Sequence, residues 1–278
     1  MKIILSRKGF DKGSGGCPSP YIVEEGKLFS LPIPNSRNYF SYKDMKFSDE
    51  LSCYDLMEQL GISTRNGNAH TDPDIRRDLF YTPEENWRPM FGQQGMPQKH
   101  LHKQGVGEGS LFLFFGLFQD TRKLNGKYSF VPGTLKQIIW GYMQVGEPPV
   151  LVERNPDGFL HPHYYSCENY TAKDVNTVYS AADRLSFAPG LPGYGVFNYE
   201  KSLVLSKTAG ENSKIYNEWE LPAHFYRHRM SWHSGEGRWR LVDGKCIVTA
   251  AQRGQEFVIQ DDPEAEAWAK DLIMKNVF

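Results

Sequence analysis

The sequence is short of the features that would place it quickly. Its four cysteines, Cys17, Cys53, Cys167 and Cys246, are far apart and form no CxxC pair, so neither a disulfide scaffold nor a zinc ribbon is expected and reduced thiols are the default. No apolar stretch approaches the roughly 18 residues that a membrane-crossing helix needs, and the opening MKIILSRKGFD has too short an apolar run for a secretory leader. A cytoplasmic protein without a membrane partner is the expectation. Net charge is nearly missing as well. A formal charge of -1 argues against broad electrostatic capture of nucleic acid, although it leaves room for a local basic face. GxSxG, HExxH, Walker and GxGxxG patterns are absent, which removes support for serine-hydrolase, zinc-protease and P-loop chemistry.

Aromatic residues are abundant instead. Phe, Trp and Tyr make up 14% of the chain, beside 26 Gly and 17 Pro, a composition suited to short strands, many turns and stacking surfaces. The stretch Gln98 to Asp120, QKHLHKQGVGEGSLFLFFGLFQD, organises the rest: a polar loop bearing His100 and His102 runs into the apolar run Leu111 to Phe118, too short to span a membrane and too aromatic to favour a helix. Further strands are expected at Lys2 to Arg7, Lys127 to Val131, Gln137 to Val145, Thr177 to Ala181, Leu203 to Leu205 and Glu256 to Ile259, with hairpins about EEGK and about Asp243-Gly244. Ser52 to Leu60 reads as a short helix behind a serine cap and before Gly61, Trp219 to Trp232 is expected to hold another, and Pro263 to Asn276 reads as a terminal amphipathic helix. Ile62 to Gln104 reads as about forty residues of polar loop. Together these predict an α+β fold on a mixed, barrel-like sheet, as a single domain over 1-278, with Pro148-Pro149 as the one candidate boundary.

The chemistry candidates each carry a plain structural alternative. Lys8 to Ser19 gathers Lys8, Asp11, Ser14, Gly15 and Gly16, and successive glycines let backbone amides face an anion such as phosphate; a surface turn explains them equally. His70, Asp72 and Asp74 in HTDPDI offer an imidazole and two carboxylates for proton transfer or a divalent metal, although Asp72 before Pro73 also reads as a helix cap of DIRRDLF. His100 with His102, and His161 with His163, alternate as an extended backbone would need to turn each pair to one face, so the two pairs could build a four-ligand site; hydrogen-bonded loop histidines are the plainer reading. Gln93, Gln94, Gln98 and Gln104 supply amides able to read a planar polar ligand, Tyr164 and Tyr165 could stack on a base, and Arg253 could clamp a phosphate.

KIILSRKGFD, GSGGCPSP, LFSLPIP, HTDP, GQQGMPQKHLHKQGVGEGSLFLFFGLF, IIWGYMQVGE and RGQEFVI together resemble the nucleotide-modification-associated domain family, third type, over nearly the whole chain. That resemblance implies a role in DNA base hypermodification, in a phage- or defence-associated setting. It also carries over Lys8, Asp11, Gly15, Gly16, His70, Asp72, Gln98, His100 and Gln104. VGEGSLFLFFG and IIWGYMQVGE are similar to the central strands of PUA-like domains, including the ASCH and EVE groups, with Ser110 where an Asp is usual. The resulting expectation is a base-modifying enzyme, such as a transferase, in which His70, His100, Asp11 and Asp72 move protons. Lys8, Ser14, Gly15 and Gly16 would hold a cofactor or phosphate, and Gln98, Gln104, Tyr164 and Arg253 would hold the base. No cofactor is named and no metal ligand is assigned. A non-catalytic reader of modified bases is the alternative, and a metal-dependent nuclease a third. The partner is a nucleotide or a DNA base, and the oligomeric state is open.

Overall fold

The apolar run that begins at Leu111 continues as a strand to Leu124, and its first eight residues are all buried. A strand apolar on both faces needs cover on both, and here it also has partners along both edges. On one edge Ile3–Arg7 runs parallel to it, Ile3 opposite Leu111 and Arg7 opposite Phe115, and further along the same strand Ser19–Ile22 pairs in parallel as well. On the other edge Lys136–Gln144 pairs antiparallel, with a bulge between Phe114 and Phe115. Tyr194–Val196 extends the sheet beyond Lys136–Gln144, Glu256–Ile259 extends it beyond Ile3–Arg7, and Lys127–Phe130 and Lys27–Leu28 complete its eight strands. The structure, a computed structural model, describes residues 1–63, 67–207, 217–226, 230–233, 235–251, 255–259 and 262–277.

The fold is α+β, mostly strands with, among the described residues, four α-helices including one at the C-terminal end. The sheet is mixed as expected but not closed: among the described residues its outer strands, Tyr194–Val196 and Glu256–Ile259, do not pair with each other. The barrel-like expectation is therefore corrected, and no PUA-like core is established. Chain continuity across Pro148-Pro149 is visible in a small second sheet, where Val150–Leu151 pairs with Thr177–Ser180 and that strand pairs with Met90–Gln93.

Local signals decide several elements. Ser52 caps the helix Cys53–Gln59 with a reciprocal capping box to Asp55, and Gly61 follows at φ 68°. Trp239–Val242 and Lys245–Thr249 form a hairpin through Asp243 and Gly244, both at positive φ, which is the twist a two-residue turn needs. Asp262 caps the helix Pro263–Asn276.

Other expectations fail. Within Ile62 to Gln104 the chain forms the strand Met90–Gln93 and then the helix Gly95–Lys103, so the histidines expected on an extended loop lie on a helix. Trp219 to Trp232 opens with the strand Glu218–Pro222 and a single 3-10 turn at Ala223–Phe225; positions 227–229 lie outside the described residues. Lys201–Leu203 is a 3-10 turn where a strand from Leu203 was expected.

Two large apolar cores, and a small third cluster of Met90, Val152, Phe159 and Val178, form among the described residues. The larger lies about the central strand and includes Phe91, Phe112, Phe114, Tyr179 and Phe257; the second gathers Phe10, Phe29, Phe40, Tyr42, Phe47 and Leu56 from the first eighty residues. Between them the loop after Ile3–Arg7 crosses the sheet at Gly116, where a Cβ would lie 2.7 Å from the Lys8 carbonyl oxygen. A side chain there would push the loop off the sheet. The four cysteines are unpaired, and no helix among the described residues is long and apolar enough to cross a membrane.

Candidate functional site

Four segments separated in sequence meet at one cavity of about 400 Å³, whose walls include Lys8, Asp11, Ser14, His70, Asp72, Gln93, Gln94 and His163. Each wall has a different origin. The loop Lys8 to Ser19 leaves the edge of the main sheet, with the Lys8 amide still bonded to the Phe115 carbonyl at 2.8 Å. Ala69–His70 pairs with Ile33–Pro34, and the turn after it brings Asp72 under Met90–Gln93, where Oδ1 accepts from the Gly92 amide at 2.6 Å. His163 sits in the short helix Pro162–Tyr165, its ring flat against the same glycine: a Cβ on Gly92 would fall 2.1 Å from the ring.

Asp72 is therefore not a helix cap. Among the described residues the nearest helical turn that follows is Arg77–Leu79, which begins after Arg76, and the Asp72 carboxylate bonds the Gly92 amide instead. Asp74, the second carboxylate of HTDPDI, turns away and accepts from the Trp87 indole at 3.0 Å.

Hydrogen bonds behind the histidines set the face each presents. Asn176 donates through Nδ2 to the carbonyls of His163 and Val152, so its Oδ1, 2.5 Å from His163 Nδ1, accepts the ring proton. His163 Nε2 then carries a lone pair and makes no hydrogen bond among the described residues. Asn38 Nδ2 donates to the Ala69 carbonyl and faces His70 Nδ1 at 3.1 Å, which in the neutral ring puts that proton on Nε2. His161 is fully enclosed, with Nε2 3.4 Å from Asp72 Oδ1 but too far off line for a hydrogen bond. Burial pushes His70 down to about 4 and His163 down to about 3, against the opposing pull of Asp72. Burial would raise Asp72, but His161, His163 and Lys8 together hold its carboxyl well below the usual range. At neutral pH His70 and His163 are therefore uncharged beside the Asp72 carboxylate.

A second polar group closes the cavity from the sheet side. Lys8 Nζ lies 3.1 Å from Glu256 Oε1 and 4.4 Å above the Phe91 ring, and Gln93 Nε2 donates to the same Glu256 oxygen at 2.6 Å. Gln94 lines the cavity, and its side-chain amide makes no hydrogen bond among the described residues.

The remaining expected residues divide. Lys8, Asp11, Ser14, His70 and Asp72 meet at the cavity. Asp11 Oδ1 takes the amides of Gly13 and Ser14, both at 2.7 Å, and its carbonyl takes that of Gly16, so most of the loop amides offered to an anion are already bonded. Gly15 is needed for packing, since a Cβ would lie 2.4 Å from the Phe10 ring.

His100 and Gln98 lie elsewhere, on the helix Gly95–Lys103. His100 Nε2 is 3.0 Å from Ser231 Oγ and its ring rests on Trp232, while Gln98 is buried and accepts from the Tyr179 hydroxyl. On a helix His100 and His102 do not share a face, so the four-histidine site that the two pairs could have built is not assembled, and His100 is a hydrogen-bonded histidine as the plainer reading had it. Gln104 ends that helix, and Tyr164 packs on Phe159. Arg253 lies outside the described residues. Asn38 and Asn176 were not singled out from sequence, and His163 was considered only as a partner of His161 in a four-histidine pairing, because the contacts that bring these residues to the cavity are tertiary and leave no local spacing.

The family model described as "Nucleotide modification associated domain 3" matches residues 2–260. No curated protein matches the chain, and no solved structure does.

Proposed function

The chain belongs to the nucleotide modification associated domain 3 family, and from that premise we propose that it is an enzyme that modifies a nucleotide or a DNA base held in the cavity beside Asp72. The observation that carries this reading is the convergence of Lys8, His70, Asp72, Gln93, Gln94 and His163 on one cavity of about 400 Å³, within the range of small-molecule sites. Gln94 pairs a donor and an acceptor in a planar group, the pattern that reads a base edge. Lys8 and Ser14 stand on the side where a phosphate would lie. Burial lowers His163, and its neighbours hold Asp72 well below the usual carboxylate range, so at neutral pH both offer lone pairs that can orient a polar group of the substrate. A base within a duplex would have to leave the stack to reach this depth, at a cost of a few kcal/mol.

Mass spectrometry of nucleosides from host DNA and from the free nucleotide pool, with the wild-type chain and with Asp72→Asn, tests this reading. A new nucleoside present with the wild type and absent with Asp72→Asn is expected. Unchanged profiles in both pools, with nucleotide still bound by the purified protein, would make the chain a reader of bases and end the enzyme reading.

A further inference from the structure

The cavity floor carries a second feature that nucleotide binding does not require. His70, Asp72 and His163 each offer one ligand atom, and these three atoms lie within 4.8 Å of one another. We propose that they bind a divalent first-row transition-metal ion, as a two-histidine, one-carboxylate site whose open positions face the cavity.

Ligand chemistry selects the class of ion. Two imidazole nitrogens and one carboxylate suit zinc, iron, cobalt or manganese, whereas calcium and magnesium take oxygen donors almost throughout and soft ions take sulfur. Three protein ligands leave room for water or substrate, as catalytic sites do and closed structural sites do not. The supporting contacts have the form that metal sites use. His163 Nδ1 is fixed by Asn176 at 2.5 Å, which directs the lone pair of Nε2 outward and sets the tautomer a ligand needs. Asp72 Oδ1 is anchored by the Gly92 amide at 2.6 Å, while its other oxygen makes no hydrogen bond among the described residues.

An independent observation comes from His161. Its Nε2 is buried, has no hydrogen-bond partner, and stands 3.4 Å from Asp72 Oδ1. A buried N–H left unpaired beside a carboxylate costs about 1–3 kcal/mol, and a small turn of Asp72 toward a cation brings its oxygen into line. His70 makes one demand. Ligation through Nε2 places the ring proton on Nδ1, which Asn38 accepts once its amide turns over; Asn38 Oδ1 is buried and without a partner as it stands.

This inference stands on the ligand geometry and not on the nucleotide reading, so the two fail separately. Chelator-treated protein, shown to be folded by far-UV circular dichroism, is titrated with cobalt chloride and followed by visible absorption. One cobalt per chain with ligand-field bands, displaced by zinc, is expected. Asp72→Asn keeps an oxygen for the Gly92 amide and should stay folded while weakening cobalt binding at least tenfold. Asn176→Ala, which only releases His163, should weaken it by roughly 10–100-fold. His100→Ala should leave it unchanged. Folded protein that shows no saturable cobalt spectrum overturns the proposal, and so does a spectrum that survives undiminished in Asp72→Asn with His163→Gln.

Discussion

Asp72 and Asp74 stand two residues apart and are driven in opposite directions. Burial pushes Asp74 well above the usual carboxylate range, relieved only in part by the Trp87 indole, whereas His161, His163 and Lys8 hold Asp72 well below it against the same burial. Asp72 is thus the charged member and the one whose loss should abolish turnover; Asp74→Asn, which keeps an acceptor for Trp87, is expected to leave the nucleoside product intact while Asp72→Asn removes it. Outside the cavity, His233 makes its own contribution to acid stability. His233 donates from Nδ1 to the Ser231 carbonyl and accepts the Ala251 amide on Nε2, and burial pushes it down to about 4. The unfolded chain, with an ordinary histidine near 6.5, then binds the proton that the folded one refuses, so stability is full above pH 6.5 and falls as pH drops toward 4. Between pH 7 and 5 the wild type should lose about 2 kcal/mol more than His233→Gln in urea unfolding, at roughly 1.4 kcal/mol per pH unit. Equal losses would mean that His233 does not titrate in this way.

At the scale of elements, what could be read from sequence was what short-range chemistry dictates. Ser52 with Asp55, and Asp243 with Gly244, announce a helix start and a hairpin within four residues, and both are where they were expected. Gly95–Lys103 was missed because its two histidines and its glycine are indifferent helix formers and its apolar pattern is weak. A signal was present nonetheless: Pro97 in the first turn and Gly105 after the last residue, at φ 65°, are the asymmetry that marks helix ends. The site was half legible. His70, Asp72 and the Lys8 to Ser19 loop announce themselves, but nothing local says that His163 comes to lie on Gly92 or that Glu256 reaches Lys8. The strand Met90–Gln93 does much of this positioning, since it anchors Asp72, receives His163 and carries Gln93. Gly92→Ala should therefore displace the His163 ring, cost about 1–3 kcal/mol by overpacking, and weaken cobalt binding as strongly as loss of a ligand. A variant with wild-type urea midpoint and wild-type cobalt affinity would show that the ring is not held there.

At the scale of the whole molecule, the later half of the chain keeps returning to the earlier half. Thr177–Ser180 pairs with Met90–Gln93, Tyr194–Val196 with Lys136–Gln144, and Glu256–Ile259 with Ile3–Arg7. Fragments 1–148 and 149–278 should accordingly not fold apart, and native-state hydrogen exchange on the intact chain should find the central strand and its partners opening together. Two fragments with native circular dichroism would place a domain boundary at Pro148-Pro149. The ion pair between Lys8 and Glu256 joins the eighth residue to one nearly 250 positions later. During translation the loop that walls the cavity precedes its counter-charge by 248 positions, so the buried Lys8–Glu256 pair that fixes the loop against the sheet forms only after synthesis has passed residue 256.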